Sequence, residues 1–298
     1  MAHYRICHRL TYRYGQPVEL APHSLRLRPR HDGAQSLHRF NLTVSPTPLG
    51  ISCFPDLDGH TTHRAWFGAQ TEALVVEAVS VVEPHWSNPF GYLLEPWALR
   101  LPLNYPVTLR SQLQPYLVPS SVDLPPDPVA SQLAIEIAHA VEGDVVAFLG
   151  TLNQQIYQAC SYGVRETGDP LPPMITWNQR SGSCRDFAVL FVAACRAAGL
   201  AARFVSGYEV GEPDTRDRHL HAWAEVYLPG AGWRGYDPTH GLAVADRHIA
   251  IAASAFPPDA APIVGQVRPG SVAASLDYTL DIQHLELEAA LSQHQSQT

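Results

Sequence analysis

The run Arg180-Ser181-Gly182-Ser183-Cys184-Arg185-Asp186-Phe187 places a thiol at the mouth of a predicted helix. Ser183 suits the N-cap, and Asp186 three residues on gives something close to a capping box. Cys184 is then the first helical residue, where the partial positive charge of a helix N-terminus favours a thiolate. Gly182 leaves the backbone ahead of it uncrowded for a substrate. Cys195 shares the same helix but sits among Ala194, Ala197 and Ala198, the setting of an inert buried thiol.

A nucleophilic cysteine needs a base, and the base needs a third group to orient it. Both are available in His219-Leu220-His221-Ala222-Trp223-Ala224-Glu225-Val226-Tyr227-Leu228, followed by a turn and Trp233-Arg234-Gly235-Tyr236-Asp237. As a strand, His219, His221, Trp223, Glu225 and Tyr227 share one face. A five-residue loop, Leu228 to Gly232, pairs Tyr227 with Trp233, which sets Asp237 opposite Trp223 and diagonal to His221. Cysteine, histidine and aspartate then form a plausible triad. His60-Thr61-Thr62-His63 has a metal-like spacing but no third ligand, and is expected at the surface.

These residues need a frame. The chain has 298 residues, 46% apolar and 16% charged, enough for two domains with cores of their own. A net charge of −8 argues against general nucleic-acid binding. No run of 18 apolar residues suggests a membrane span, and no hydrophobic leader follows Met1, so a cytoplasmic location is expected. All 20 basic residues are arginine, which removes every lysine-based mechanism. Five cysteines without a C-x-x-C pair suggest neither a disulfide scaffold nor a zinc ribbon.

Period-two alternation from Tyr4 to Tyr12, and further short runs to Val82, predict an antiparallel β-sandwich over residues 1–83. A proline-rich, irregular connection is expected over 84–128. Residues 129–284 alternate helical and strand patterns: helices from Val129 and Val145, a third from Cys184 to Ala198, then strands over Ala202–Tyr208, His219–Leu228, Gly232–Asp237 and Ile249–Ala253. Residues 285–298 read as a flexible tail. The fold class is α+β.

The stretches G-S-C-R-D-F-A, R-F-V-S-G-Y and H-A-W-A-E-V-Y-L-P-G-A-G-W-R-G-Y-D-P-T-H-G strongly resemble the bacterial transglutaminase-like superfamily. H-R-L-T-Y-R-Y-G-Q-P-V and L-R-L-R-P-R resemble the β domain that precedes its core in one bacterial branch. The resemblance implies a papain-like, transglutaminase-core domain with Cys184 as nucleophile, His221 as base and Asp237 as orienting acid. It implies acyl transfer at an amide of a peptide or protein substrate, with no cofactor and no metal. Peptidase or amidase action is favoured; a true transglutaminase or a non-catalytic binding module are the alternatives. Besides the Cys184 N–H, the candidates for oxyanion or substrate contact are Tyr162, Trp177, Asn178 and Trp223. Two departures from the family pattern stand out. Ser183 replaces a common valine, and Ala253 to Pro262 replaces a G-R-D-Y-x-D-V-x-P segment bordering the expected cleft.

Overall fold

The computed structural model describes residues 2–118, 126–165, 168–211 and 220–285. The chain opens with β1 (His3–Leu20), β2 (His23–Leu25), β3 (Gln35–Ser45), β4 (Gly50–Pro55), β5 (Thr61–Trp66) and β6 (Thr71–Pro84). The proline-rich stretch is less irregular than expected. It carries α1 (Val107–Gln112) and α2 (Gln114–Leu117), and its Leu103, Tyr105 and Leu113 are buried in the core that follows.

That core consists of α3 (Pro128–Ala140), α4 (Val145–Ala159), β7 (Ser161–Tyr162), α5 (Pro173–Gln179), β8 (Ser181–Gly182) and α6 (Cys184–Ala197). It continues through β9 (Ala202–Glu209), β10 (Leu220–Leu228), β11 (Gly232–Asp237), β12 (Leu242–Ala243) and β13 (His248–Ser254). Asp127 caps α3 by accepting the Val129 and Ala130 N–H groups, and Asp144 caps α4 through Ala147 N–H. α6 is apolar almost all round, with Phe187, Leu190, Phe191 and Cys195 fully buried, because it runs between the other helices and the sheet. The sheet is antiparallel, in the order β12–β11–β10–β9–β13. Among the described residues, no helix is long and apolar enough to cross a membrane.

Strand pairing crosses the boundary that the sequence suggests at residue 284. β14 (Ile263–Val264), β15 (Val267–Arg268) and β16 (Ala274–Leu285) return to the N-terminal sheets. β16 pairs with β1 along its length, from His3↔Leu285 to Tyr14↔Ala274. Leu276, Tyr278, Leu280 and Ile282 alternate with polar residues, so the strand is amphipathic and needs a sheet to cover one face. Leu285, expected in the tail, ends this strand; residues 286–298 lie outside the described residues. The two layers of the sandwich, β15–β1–β6–β3 with β16 and β14–β2–β5–β4, close over Leu10, Val18, Leu25, Leu27 and Val76.

The sandwich docks on β13, the edge strand of the core sheet, and covers groups that would otherwise be left unpaired. Gln35 acts as a short piece of strand: its Nε2 donates to Ala250 O (2.9 Å) and its Oε1 accepts Ala250 N–H (2.8 Å). Arg30 reaches across to Glu225, which also holds Arg203. His60 is buried here, not at the surface: Ala253 N–H donates to its Nε2 at 2.8 Å, so its Nδ1 carries the proton toward Asp56.

Candidate active site

Cys184 opens α6 as expected. Asp186 reaches back to accept the Ser183 backbone N–H and hydroxyl, both at 2.7 Å. The carboxylate also accepts Leu171 N–H at 2.7 Å and pairs with Arg165 at 2.5 Å, fixing the approach to the helix. Gly182 serves a different purpose from the expected one. A Cβ there would lie 3.0 Å from the Asp186 Cβ and 3.1 Å from the Phe187 ring, so glycine allows this packing. It also pairs in β8 with Tyr162 of β7, a short parallel contact that brings Tyr162 beside the helix start.

The hairpin has the expected register. Tyr227 pairs with Trp233 and Leu228 with Gly232, leaving a three-residue loop where five residues are expected. Asp237 therefore lies diagonal to His221, and His221 Nε2 stands 2.7 Å from Asp237 Oδ2. The ring's other nitrogen remains for sulfur: Cys184 lines the same cavity as His221 and lies near enough to favour its imidazolium. His219 lies outside the described residues. Behind the ring, Trp223 is fully buried, packed at 6.2 Å from His221 and 5.3 Å from His248 between ring centroids. It fits there because Gly207, the cross-strand partner of His221, lies diagonal to it: a Cβ at that position would come within 2.4 Å of the indole.

Two partners of Asp237 are not anticipated by the spacing argument. His240 Nδ1 (2.9 Å) and His248 Nε2 (3.1 Å) also meet Oδ2, while Thr239 N–H donates to Oδ1 (2.9 Å). Burial would raise the Asp237 carboxyl, but the charge of His221 and the hydrogen bonds of all three imidazoles hold it well below the carboxylate range. Burial would likewise discharge His221. Asp237, and secondarily Cys184, instead hold its imidazolium well above the ordinary value. Cys195 is the opposite case, its thiol driven far up by complete burial.

A cavity of about 280 Å³ opens on Cys184 and His221. Tyr162 lines it, and burial together with the neighbouring Cys184 pushes the phenol up to about 12, so it stays protonated. The other candidates sit elsewhere. Trp177 and Asn178 lie on α5, which the sequence reading misses; Trp177 packs on the helical core with Arg180 over its ring at 3.7 Å, and Asn178 faces solvent. Trp223 underlies His221 instead of facing the cavity. Trp233, at the far end of the hairpin, packs on Arg203 and Tyr116. Among the described residues, His221, Asp237 and His240 place three ligand atoms within 4.8 Å of one another, as do His3, His38 and Glu83, and either group could hold a metal ion.

Residues 4–83 match the bacterial transglutaminase-like N-terminal region, and residues 132–238 match the transglutaminase-like superfamily. The chain thus carries a transglutaminase-like core behind a bacterial transglutaminase-like N-terminal region. An uncharacterized protein of Mycobacterium tuberculosis is 28% identical over 302 residues, spanning 96% of this chain and 94% of its own length. A protein-glutamine gamma-glutamyltransferase of Pseudomonas aeruginosa is 32% identical over 154 residues, which is 47% of this chain and 23% of that protein. In fold, the chain is similar to a crystal structure from Cytophaga hutchinsonii described as a "putative cysteine protease". The TM-score is 0.74 at 21% identity, covering 96% of this chain and 91% of that one.

Proposed function

We propose that the protein is a cysteine-dependent amide hydrolase, a peptidase or amidase that works through a thioester on Cys184. The observation that carries this reading is the relay from the Cys184 thiol at a helix N-terminus to His221 and on to the buried Asp237. The thiolate adds to the amide carbonyl and forms a C–S bond. Negative charge on the carbonyl oxygen is met by the Cys184 N–H and the Tyr162 hydroxyl. His221 gives its proton to the amine nitrogen as the C–N bond breaks. Water then adds to the thioester, passing a proton to His221, and the C–S bond breaks to restore the thiolate–imidazolium pair.

Water is favoured as acceptor because of what surrounds the sulfur. Trp177, Trp223, Tyr208 and Trp233, the aromatic residues that could wall a dry acceptor tunnel, do not line the cavity, whereas Arg165, Asp169 and Arg185 do. Glutamine–amine transfer is the second reading, favoured by the similarity to the P. aeruginosa glutamyltransferase. The test offers a reactive acyl donor with and without a primary amine and weighs the products. Mainly free acid supports hydrolysis; predominant amide at modest amine concentration overturns it. In parallel, iodoacetamide should modify Cys184 ahead of Cys7, Cys53, Cys160 and Cys195. Equal labelling, or fastest labelling of Cys195, removes the nucleophile from the reading.

A further inference from the structure

One face of β1 serves two different partners. Tyr4 and Ile6 pack on Phe204, Tyr208 and Ile249 of the core, while Leu10 and Val18 pack inside the sandwich. Between these two contacts His8, buried and hydrogen-bonded to the Tyr208 hydroxyl at 3.1 Å, begins the stretch of the face that lines the cavity beside Cys184. The pairing of β1 with β16 sets its composition. Leu10 lies opposite Tyr278 and Tyr12 opposite Leu276, so two leucine–tyrosine pairs, packed from behind on the sandwich core, stand side by side where the face lines the cavity. The arginines of β1 at positions 5, 9 and 13 alternate with these residues and point to the other face. Opposite the pairs, Pro258 and Pro262 come from the segment that departs from the family pattern. The charged groups, Arg165, Asp169 and Arg185, lie on the loop and helix side.

We propose that the Leu10–Tyr278 and Tyr12–Leu276 pairs form a specificity subsite for one large apolar side chain, aromatic or leucine-like, on the acyl side of the scissile amide. This rests on Cys184 being the nucleophile. The acyl part of a substrate stays on the enzyme through both half-reactions, whereas the amine leaves after the first. A recess contiguous with the sulfur therefore suits the part that stays. Its volume, about 280 Å³, lies just below the usual range for small-molecule sites, which fits a single side chain with its carbonyl. To these pairs the β1–β16 wall adds, among the described residues, His8, already hydrogen-bonded to Tyr208, and no charged group, so an acidic or basic side chain held against it would lose its hydration without a partner.

The experiment uses the full chain and blocked amino-acid anilides, N-acetyl-X-anilide, with X as Phe, Leu, Gly or Asp. The expected kcat/KM for Phe and Leu exceeds that for Gly and Asp by about ten- to a hundredfold, the usual discrimination of an apolar pocket. Leu276→Trp, which fills the recess, should bring the Phe and Leu rates toward the Gly rate, with its melting temperature checking the fold. Flat rates across X in the wild type overturn the subsite and leave the nucleophile standing. A second readout does not need turnover: the matching N-acetyl-X-amides should slow iodoacetamide labelling of Cys184 in the same order. Graded protection without turnover keeps the subsite and overturns the hydrolase reading. Equal protection by all four overturns the subsite.

Discussion

Asp237→Asn separates an orienting acid from a turn residue. At 2.7 Å, the Asp237 charge is what keeps His221 protonated against the pull of burial. Asparagine preserves the volume and removes the charge. By analogy with serine triads, turnover should fall by up to ~10⁴, equal to about 5.5 kcal/mol of barrier. Stability should fall too. Oδ2 accepts from His221, His240 and His248, and Oδ1 from Thr239 N–H. An amide keeps only one acceptor oxygen, so either the imidazoles or Thr239 lose theirs, at a cost of about 1–3 kcal/mol. The pH dependence follows from the directions of the shifts. The depressed Asp237 carboxyl stabilises the fold fully above its unfolded value of about 3.9, and that contribution is lost as pH falls through the lower folded value. The raised His221 contributes fully below about 6.5, and its share is lost as pH rises through the folded value. Wild type and variant should thus differ most between these limits and converge in strong acid. Thermal melts and the rate of Cys184 alkylation against pH measure both effects. A folded variant with wild-type turnover and an unchanged alkylation profile would refute the reasoning and reduce Asp237 to the residue that begins the turn at Pro238.

Three further outcomes follow. His8 is buried, and burial lowers its imidazole from 6.5 to about 4; the unfolded chain takes up that proton first, so stability should drop by about 3 kcal/mol between those values, and His8→Gln should flatten acid titration of stability in this window. Glu225→Gln leaves Arg30 and Arg203 without their shared carboxylate and should cost on the order of 3 kcal/mol; a melting temperature unchanged from wild type would show that the cluster is idle. Gly207→Ala would put a Cβ 2.3 Å from Ile249 O and 2.4 Å from the Trp223 ring. It should destabilise by about 1–3 kcal/mol and slow turnover through a displaced His221, read by tryptophan fluorescence and kcat together.

The parts of the site legible in the sequence are those fixed by neighbours in the chain. Cys184 announces itself through Ser183 and Asp186 because helix caps are local. The parity of the hairpin follows from the turn after Leu228, so Asp237 could be placed relative to His221 by counting. His240 and His248 are outside what spacing gives, although Asp-Pro-Thr-His carries a signal: after a turn, the side chain three residues on can fold back over the aspartate. His248 comes from the end of a non-adjacent strand, and no local pattern brings it to Oδ2. Trp177 and Asn178, candidates for substrate contact by sequence, do not line the cavity. The left-handed turn at Arg180, with φ of 52°, carries α5 away from the cavity. Nor could spacing identify Gln35 as the residue that completes the edge of β13, since its partner lies 215 positions away.

The most consequential feature hidden from a linear reading is that the transglutaminase-like core is an insertion within the sandwich. β1 is paired with β6 on one side and with β16, the last described strand, on the other. The core leaves the sandwich after β6 and returns to it at β14, so two chain connections tie it there. Those connections, together with the Gln35, Arg30 and His60 contacts on the core sheet, fix how the β1–β16 face meets α6. A wall carried on a single linker would sample many distances from Cys184. A wall held at both ends, and docked on the strand next to the one that carries Gly207, is instead a rigid side of the cavity. The N-terminal region is therefore better understood as part of the site than as a module preceding it. Differences among relatives in Leu10, Tyr12, Leu276 and Tyr278 should change which amide is chosen without touching the residues that would cleave it.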